Sequence, residues 1–460
     1  MEPSPQDRPV TALPASELSA TGRDTVPVTE VASRPSHRIV LTGLTVSSMV
    51  VAGFTLWNYP LTVIGVPALL ALGYRYPELT LMLAIGWLVS TNSLSGGDHW
   101  TRHLAAFGAS DLLFAAALPG LWRQYRRHNA RPIFFPPFAL PALLFTACGV
   151  LSYLMNLHAM RGDAGYYLIG LLRTVQIVAL LPLCYSMPAW SRGQVRLTGG
   201  LYLLGTLMLA LIVLGTFRPD GVYRNEVAGN HKNMAGLILS CGALICLSLS
   251  APRERPGNRH IPLAGALLIA LALGTLLARS SVLSLAAGAT CIATMRRRAG
   301  ACASVVGLAL ATTLLCQHLV RFPVPDSQRN PSLRGRVQQW ESSVASIRQH
   351  WLFGDGFRAR RDYNPHNLFL VVLTENGVVG MAVFLWLMGA QIRLFLQVWR
   401  AHQSDADLET LCVALIACWV ALLVHAQFDP FWRRGPLWIP WAGTGMLLRL
   451  HFQKSPQNLS

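Results

Sequence analysis

The stretch LFLVVLTENGVVGMAVFLWL, Leu368 to Leu387, decides the fold. Its 20 residues are nearly unbroken apolar sequence. A helix rising about 1.5 Å per residue would carry them across a hydrocarbon core of about 30 Å. Gly354-Asp355-Gly356-Phe357 and Pro365-His366-Asn367 stand just ahead of it. A histidine, an amide and several arginines therefore gather where a polar loop enters a membrane.

Outward from this run the pattern repeats. The chain of 460 residues is 52% hydrophobic and only 13% charged, with a mean hydropathy of +0.40. Apolar runs recur from Ile39 to Leu450. A helix satisfies its own backbone groups in lipid, so the expected fold is all-α, a polytopic transmembrane helix bundle of 12–14 spans. The spans fall at about 39–57, 60–74, 78–95, 108–122, 134–156, 166–187, 198–216, 233–250, 261–277, 281–295, 300–320, 367–395, 409–427 and 435–450. Residues 1–37, rich in Pro, Ser, Thr and charge, read as a disordered cytoplasmic tail without the pattern of a signal peptide. Residues 38–451 read as a single bundle that includes the loop 321–366, and 452–460 as a second cytoplasmic tail.

The net charge of +17 does not indicate a nucleic-acid partner, because the basic residues sit between spans. Nor do the nine cysteines, all within apolar runs, show a disulfide or zinc pattern. One set of short loops holds Arg123, Arg126, Arg127 and Arg131; Arg192 and Arg196; Arg253, Arg255 and Arg259; and Arg296, Arg297 and Arg298. Short basic loops mark the cytoplasmic side. Both termini are then cytoplasmic, and the segment 220–232, the turn at Arg279 and the loop 321–366 face outward.

That loop carries eight arginines against four acids, 8 − 4 = +4, the reverse of the usual outer bias. Within it Leu333, Val337, Trp340, Val344, Ile347 and Trp351 follow the stripe of an amphipathic helix, with Asn330 as N-cap and Pro331 in the first turn. Such a helix lies on the membrane surface with its apolar side in lipid.

Several polar residues on this face could carry chemistry. Arg224, Asn230, Lys232 and Asn233 surround the start of a span, where free backbone N–H groups attract anions. Arg279 stands between two apolar segments, where an arginine is costly unless it pairs. Arg336 precedes Trp340 by one helical turn and offers a planar fork suited to phosphate. His366 could accept a proton from a sugar hydroxyl, and Asn367 adjoins it. Glu375 and Arg173 are ionisable residues about two turns inside their spans. His425, Asp429 and Arg161 are weaker candidates.

These elements, in this order, resemble the O-antigen ligase and O-antigen polymerase superfamily. The resemblance rests on Arg224 with Gly229-Asn230-His231-Lys232-Asn233, Ala278-Arg279-Ser280, Gly335-Arg336 before Trp340, Leu352 to Phe357, and Pro365-His366-Asn367 with Glu375, Gly377 and Gly380. It covers about residues 198–450; the preceding part agrees only in hydropathy. The triplet His231-Lys232-Asn233 also resembles exopolysaccharide polymerases.

The resemblance implies a metal-independent glycosyltransferase of the bacterial inner membrane with its active site toward the periplasm. Its donor would be an undecaprenyl-diphosphate-linked glycan. The acceptor would be the lipid A core in a ligase, or a second lipid-linked glycan in a polymerase. No cofactor is implied. By position, Arg279 and Arg336 would hold the diphosphate and His366 would activate the acceptor, with Arg224, Asn230, Lys232, Asn233, Asn367, Glu375 and Arg173 contacting substrate. A transporter of lipid-linked glycans is the competing class. It would carry ionisable groups near mid-membrane and paired broken helices, whereas these spans hold little charge apart from Arg173 and Glu375.

Overall fold

A computed structural model describes residues 37–55, 59–87, 109–127, 136–157, 191–217, 226–227, 230–250, 260–319, 331–356, 365–429 and 438–454, with scattered residues between 168 and 184. The helices in chain order are α1 (His37–Thr55), α2 (Tyr59–Arg75), α3 (Pro77–Met82, continued by a π-helical turn Leu83–Trp87), α4 (Ala109–Arg127) and α5 (Pro136–Asn156). They continue as α6 (Arg192–Gly215), α7 (Lys232–Leu249), α8 (His260–Thr275), α9 (Arg279–Arg296) and α10 (Ala299–Leu319). The last are α11 (Pro331–Gln349), α12 (Leu368–Ala401), α13 (Ala406–His425) and α14 (Trp438–Lys454). Among the described residues the one strand pairing is a two-residue ribbon, β1 (Glu226–Val227) with β2 (Asn230–His231), antiparallel.

The fold is an all-α polytopic membrane bundle. Each expected span overlaps a helix over its described residues; 166–187 lies mostly outside them, as does the part of 78–95 beyond residue 87. Five helices, α6, α7, α10, α12 and α13, are long and apolar enough to cross a membrane by themselves. The tail 1–36, the proposed N-cap Asn330, and Arg161, Arg173 and Arg224 lie outside the described residues.

The centre is built from α7, α9 and α13, which pack on one another. Small side chains bring these backbones together: Ala235, Ala243, Ala289, Ala417 and Ala421 are all almost wholly buried. Outward-facing positions remain apolar, including Leu204 and Leu211 on α6 and Leu314 on α10, as lipid contact requires. Caps fix the polar ends. Ser191 and Gln194 form a reciprocal capping box on α6, and Asp405 caps α13 through the Leu408 N–H.

The end away from the candidate site is stitched by ion pairs. Arg192 meets Asp405 at 2.7 Å, Arg196 meets Asp407, and Arg296 meets Glu409 at 2.9 Å. The last pair is almost fully buried, and Arg296 also donates to the Ser248 carbonyl and to Thr410. These arginines clamp α6 and α9 to α13 besides contributing to the basic loops read from the sequence.

α12 is not one continuous helix. Gly377 has φ 64° and ψ −167°, a backbone state open to glycine alone, and it breaks the hydrogen-bond ladder. The segment Trp351–Gly356 fills the gap. The N–H groups of Asp355 and Gly356 donate to the Thr374 and Glu375 carbonyls at 2.7 and 3.3 Å. Those of Val378 and Val379 donate to the Trp351 and Leu352 carbonyls at 2.8 and 3.3 Å. The approach is close: a Cβ on Gly354 would lie 2.5 Å from the Thr374 carbonyl oxygen. Backbone groups freed inside an apolar helix are thus satisfied by an inserted loop, as a membrane interior demands.

Candidate functional site

The site grows from three helix N-termini. Lys232 is the first residue of α7, Arg279 the first of α9, and His366-Asn367 lead into α12. The α8–α9 turn explains the position of Arg279. Leu277 adopts φ 54°, reversing the chain sharply, and Ala278 offers no side-chain cap to the helix that follows. Cations at helix N-termini oppose the helix dipole, so Lys232 and Arg279 stand where the local backbone favours an anion.

Asp429 ties these termini together. Asn233 Nδ2 donates to one of its carboxylate oxygens at 2.6 Å, and His366 Nδ1 lies 3.5 Å from the other. Asp429 is buried while the His366 side chain is 31% exposed, so the imidazole is the partner open to a ligand. Burial would push the Asp429 carboxyl up; the bonds from His366 and Asn233, with the charges of His366 and His425, outweigh it and hold the carboxyl below its ordinary value.

The charges of Arg279, Arg336 and Asp429 all act on Lys232. Of these named groups, three cations face one carboxylate, 3 − 1 = +2. Like charges gathered at a partly desolvated site repel one another more strongly than they would in water. A polyanion of about two negative charges would remove that repulsion.

The Pro365-His366-Asn367 turn is held from both sides. Trp340 Nε1, on α11, donates to the Pro365 carbonyl at 2.7 Å. Asn367 accepts from the Leu370 N–H at 3.1 Å as the N-cap of α12, and its amide reaches Gln427 Oε1 at 3.3 Å. The Leu368 N–H bonds the Ala426 carbonyl at 2.7 Å. His366 itself takes φ 49°, a costly state for a residue with a Cβ, and these flanking bonds hold it there.

α11 begins at Pro331, and the face it presents is informative. Val337, Trp340, Val344 and Trp351 of the apolar stripe are exposed, whereas Ser343 and Ser346 are buried. Ser346 and His350 both meet the Asp355 carboxylate, the histidine at 3.4 Å, which anchors the helix to the inserted loop.

The structure thus groups Lys232, Asn233, Arg279, Arg336, His366 and Asn367 with Asp429. Asn230 is in β2, immediately before α7. Glu375 lies at the break in α12: it is buried, and its carbonyl accepts from Gly356 and from Ser152 on α5. Asp429, a weak candidate from sequence, is the hub. Its signal was its position one turn beyond His425, just past the end of an apolar run, and nothing in its neighbours announced its partners.

Fold and site define a polytopic α-helical membrane protein with a polar, cation-rich centre at one end of its bundle. Residues 264–385, from within α8 through the first half of α12, match the family model described as O-antigen ligase. That match supports the O-antigen ligase and polymerase superfamily, and with it a membrane glycosyltransferase of ligase or polymerase type. The matched segment holds Arg279, Arg336, His366, Asn367 and Glu375 but ends before Asp429. No curated protein matches the chain.

Proposed function

We propose that the protein is an inner-membrane, metal-independent glycosyltransferase of the O-antigen ligase type. It would move a glycan from undecaprenyl diphosphate to a hydroxyl of the lipid A core at the periplasmic face. The observation that carries this reading is the meeting of Lys232, Arg279 and Arg336 with the His366–Asp429 pair at three helix N-termini.

The diphosphate sits among the cations, and the acceptor hydroxyl lies against His366. With Nδ1 turned to Asp429, Nε2 of His366 takes the hydroxyl proton as the oxygen attacks the anomeric carbon. The carbon–oxygen bond to the diphosphate breaks with its electron pair moving onto the phosphate. Negative charge on the leaving group grows along this path, so fixed guanidinium groups stabilise the transition state more than the ground state. Asp429 stabilises the imidazolium formed. A single displacement inverts the anomeric centre, which NMR of the product linkage checks; retention would exclude it. The exposed apolar stripe of α11 supports a helix resting in the outer leaflet beside the site, where the carrier's chain enters.

Replacement of His366 by Ala in the native host tests the assignment. Loss of ladder-type lipopolysaccharide with build-up of lipid-linked polymer supports a ligase; build-up of single repeats points to a polymerase. Unchanged glycans refute both.

A further inference from the structure

We propose that His425 is a positioning residue that locks Asp429, and through it His366, to the arginine-bearing end of α9. This rests on the reading of the site given above.

His425 closes α13 one turn before Asp429, whose N–H donates to its carbonyl at 3.1 Å. The imidazole is 1% exposed, too deep to touch a substrate. Its Nε2 lies 3.4 Å from the hydroxyls of both Ser280 and Ser281, the two residues after Arg279. Ser281 in turn reaches the Asn233 carbonyl at 3.4 Å, and Asn233 donates its side-chain amide to Asp429. One ring therefore joins the first turns of α7 and α9 to the extension of α13 that carries the carboxylate. An apolar side chain would fill the same space without this tie. Two hydroxyls within reach of one ring nitrogen tie the ring to the helix turn that carries Arg279.

The charged and titratable groups facing this centre are Lys232 from α7, Arg279 from α9, Arg336 from α11, His366 ahead of α12, and Asp429 with His425 from α13 and its extension. Loosening Asp429 takes its carboxylate away from His366 Nδ1 and leaves that ring free to turn.

The experiment uses the full chain in lipid nanodiscs as wild type, His425→Ala, His425→Gln and Asp429→Asn. The rate of carbethoxylation of His366 by diethylpyrocarbonate at one pH, followed by mass spectrometry, reads how firmly its ring is held whether or not the protein transfers glycan. Transfer from a lipid-linked donor is measured in parallel. Expected for His425→Ala is faster carbethoxylation of His366, toward the rate in Asp429→Asn, and a kcat lower by roughly 10- to 100-fold with donor KM little changed. His425→Gln, whose amide can still meet Ser280 or Ser281, should recover part of both. If Asp429→Asn speeds carbethoxylation and His425→Ala does not, His425 only packs, and the proposal is overturned. If Asp429→Asn itself leaves the rate unmoved, the site reading fails first. Should His425→Ala not fold, the Ser280→Ala/Ser281→Ala double variant is held to the same rate criterion.

Discussion

At the scale of single residues, guanidinium and imidazole groups have separable jobs. Arg336→Lys keeps the charge but loses the planar fork, so it should cost most of what Arg336→Ala costs; about 10²–10³ in kcat is the usual loss for a donor aimed at developing charge. Assays with purified protein and a lipid-linked donor decide this, and a fully active Arg336→Lys would mean a charge without geometry. The Asp429 carboxyl gives a pH signature. Its folded value lies below the ordinary 3.8, so its stabilising contribution is complete above 3.8 and fades as pH falls through the lower folded value. The difference in thermal stability between wild type and Asp429→Asn should therefore shrink as pH falls below 3.8. A difference that grew below pH 3.8 would contradict the assigned bonds.

At the scale of elements, the helix ends and the break in α12 govern. Gly377→Ala should destabilise by about 1–3 kcal/mol from backbone strain alone, and by more because a Cβ would sit 2.3 Å from the Leu352 carbonyl oxygen. Thermal unfolding in detergent reads the loss. Arg296→Ala strands the buried Glu409, with an expected cost of about 3–5 kcal/mol. The Arg296→Gln/Glu409→Gln double variant should be less damaged than the two single changes added together, a test of coupling rather than of charge count. Apolar run lengths, Pro331 at a helix start and Asn367 at another were legible in the sequence because each acts on its neighbours. The break at Gly377 was not. Leu368 to Leu387 reads as one apolar run, and only the arrival of Trp351–Gly356 allows its ladder to part. Glu375 stands at the same break, and its carbonyl's bonds to Gly356 and Ser152 were hidden for the same reason.

For the whole molecule, the bundle sorts its polar chemistry to two ends. Ion pairs of arginine with aspartate and glutamate close one end, and Lys232, Arg279 and Arg336 gather around Asp429 at the other. Position 350 next to the inserted loop and position 298 in the α9–α10 turn should lie on opposite sides of the membrane. Single cysteines at these positions, labelled by an impermeant maleimide on a background without the native cysteines, check this; labelling of both from one side would invert or dismantle the topology. The basic short loops suggested this sorting, and the family-like motifs pointed to Arg279, Arg336 and His366. The hub at Asp429 and the ring of His425 stayed hidden because their partners come from α7, α9 and the α12 lead, distant in sequence and each unremarkable alone.

The loop spliced into α12 also dictates an order of biogenesis. Trp351–Gly356 leaves the ribosome before the helix whose gap it fills, yet the four backbone groups around Gly377 find their partners only after both have met. A translocon releasing α12 early would leave its ladder closed across Gly377, and parting it later among acyl chains would expose those groups at several kcal/mol apiece. The nascent hairpin must therefore mature as a unit, with the loop already docked when the second helix moves sideways into the bilayer.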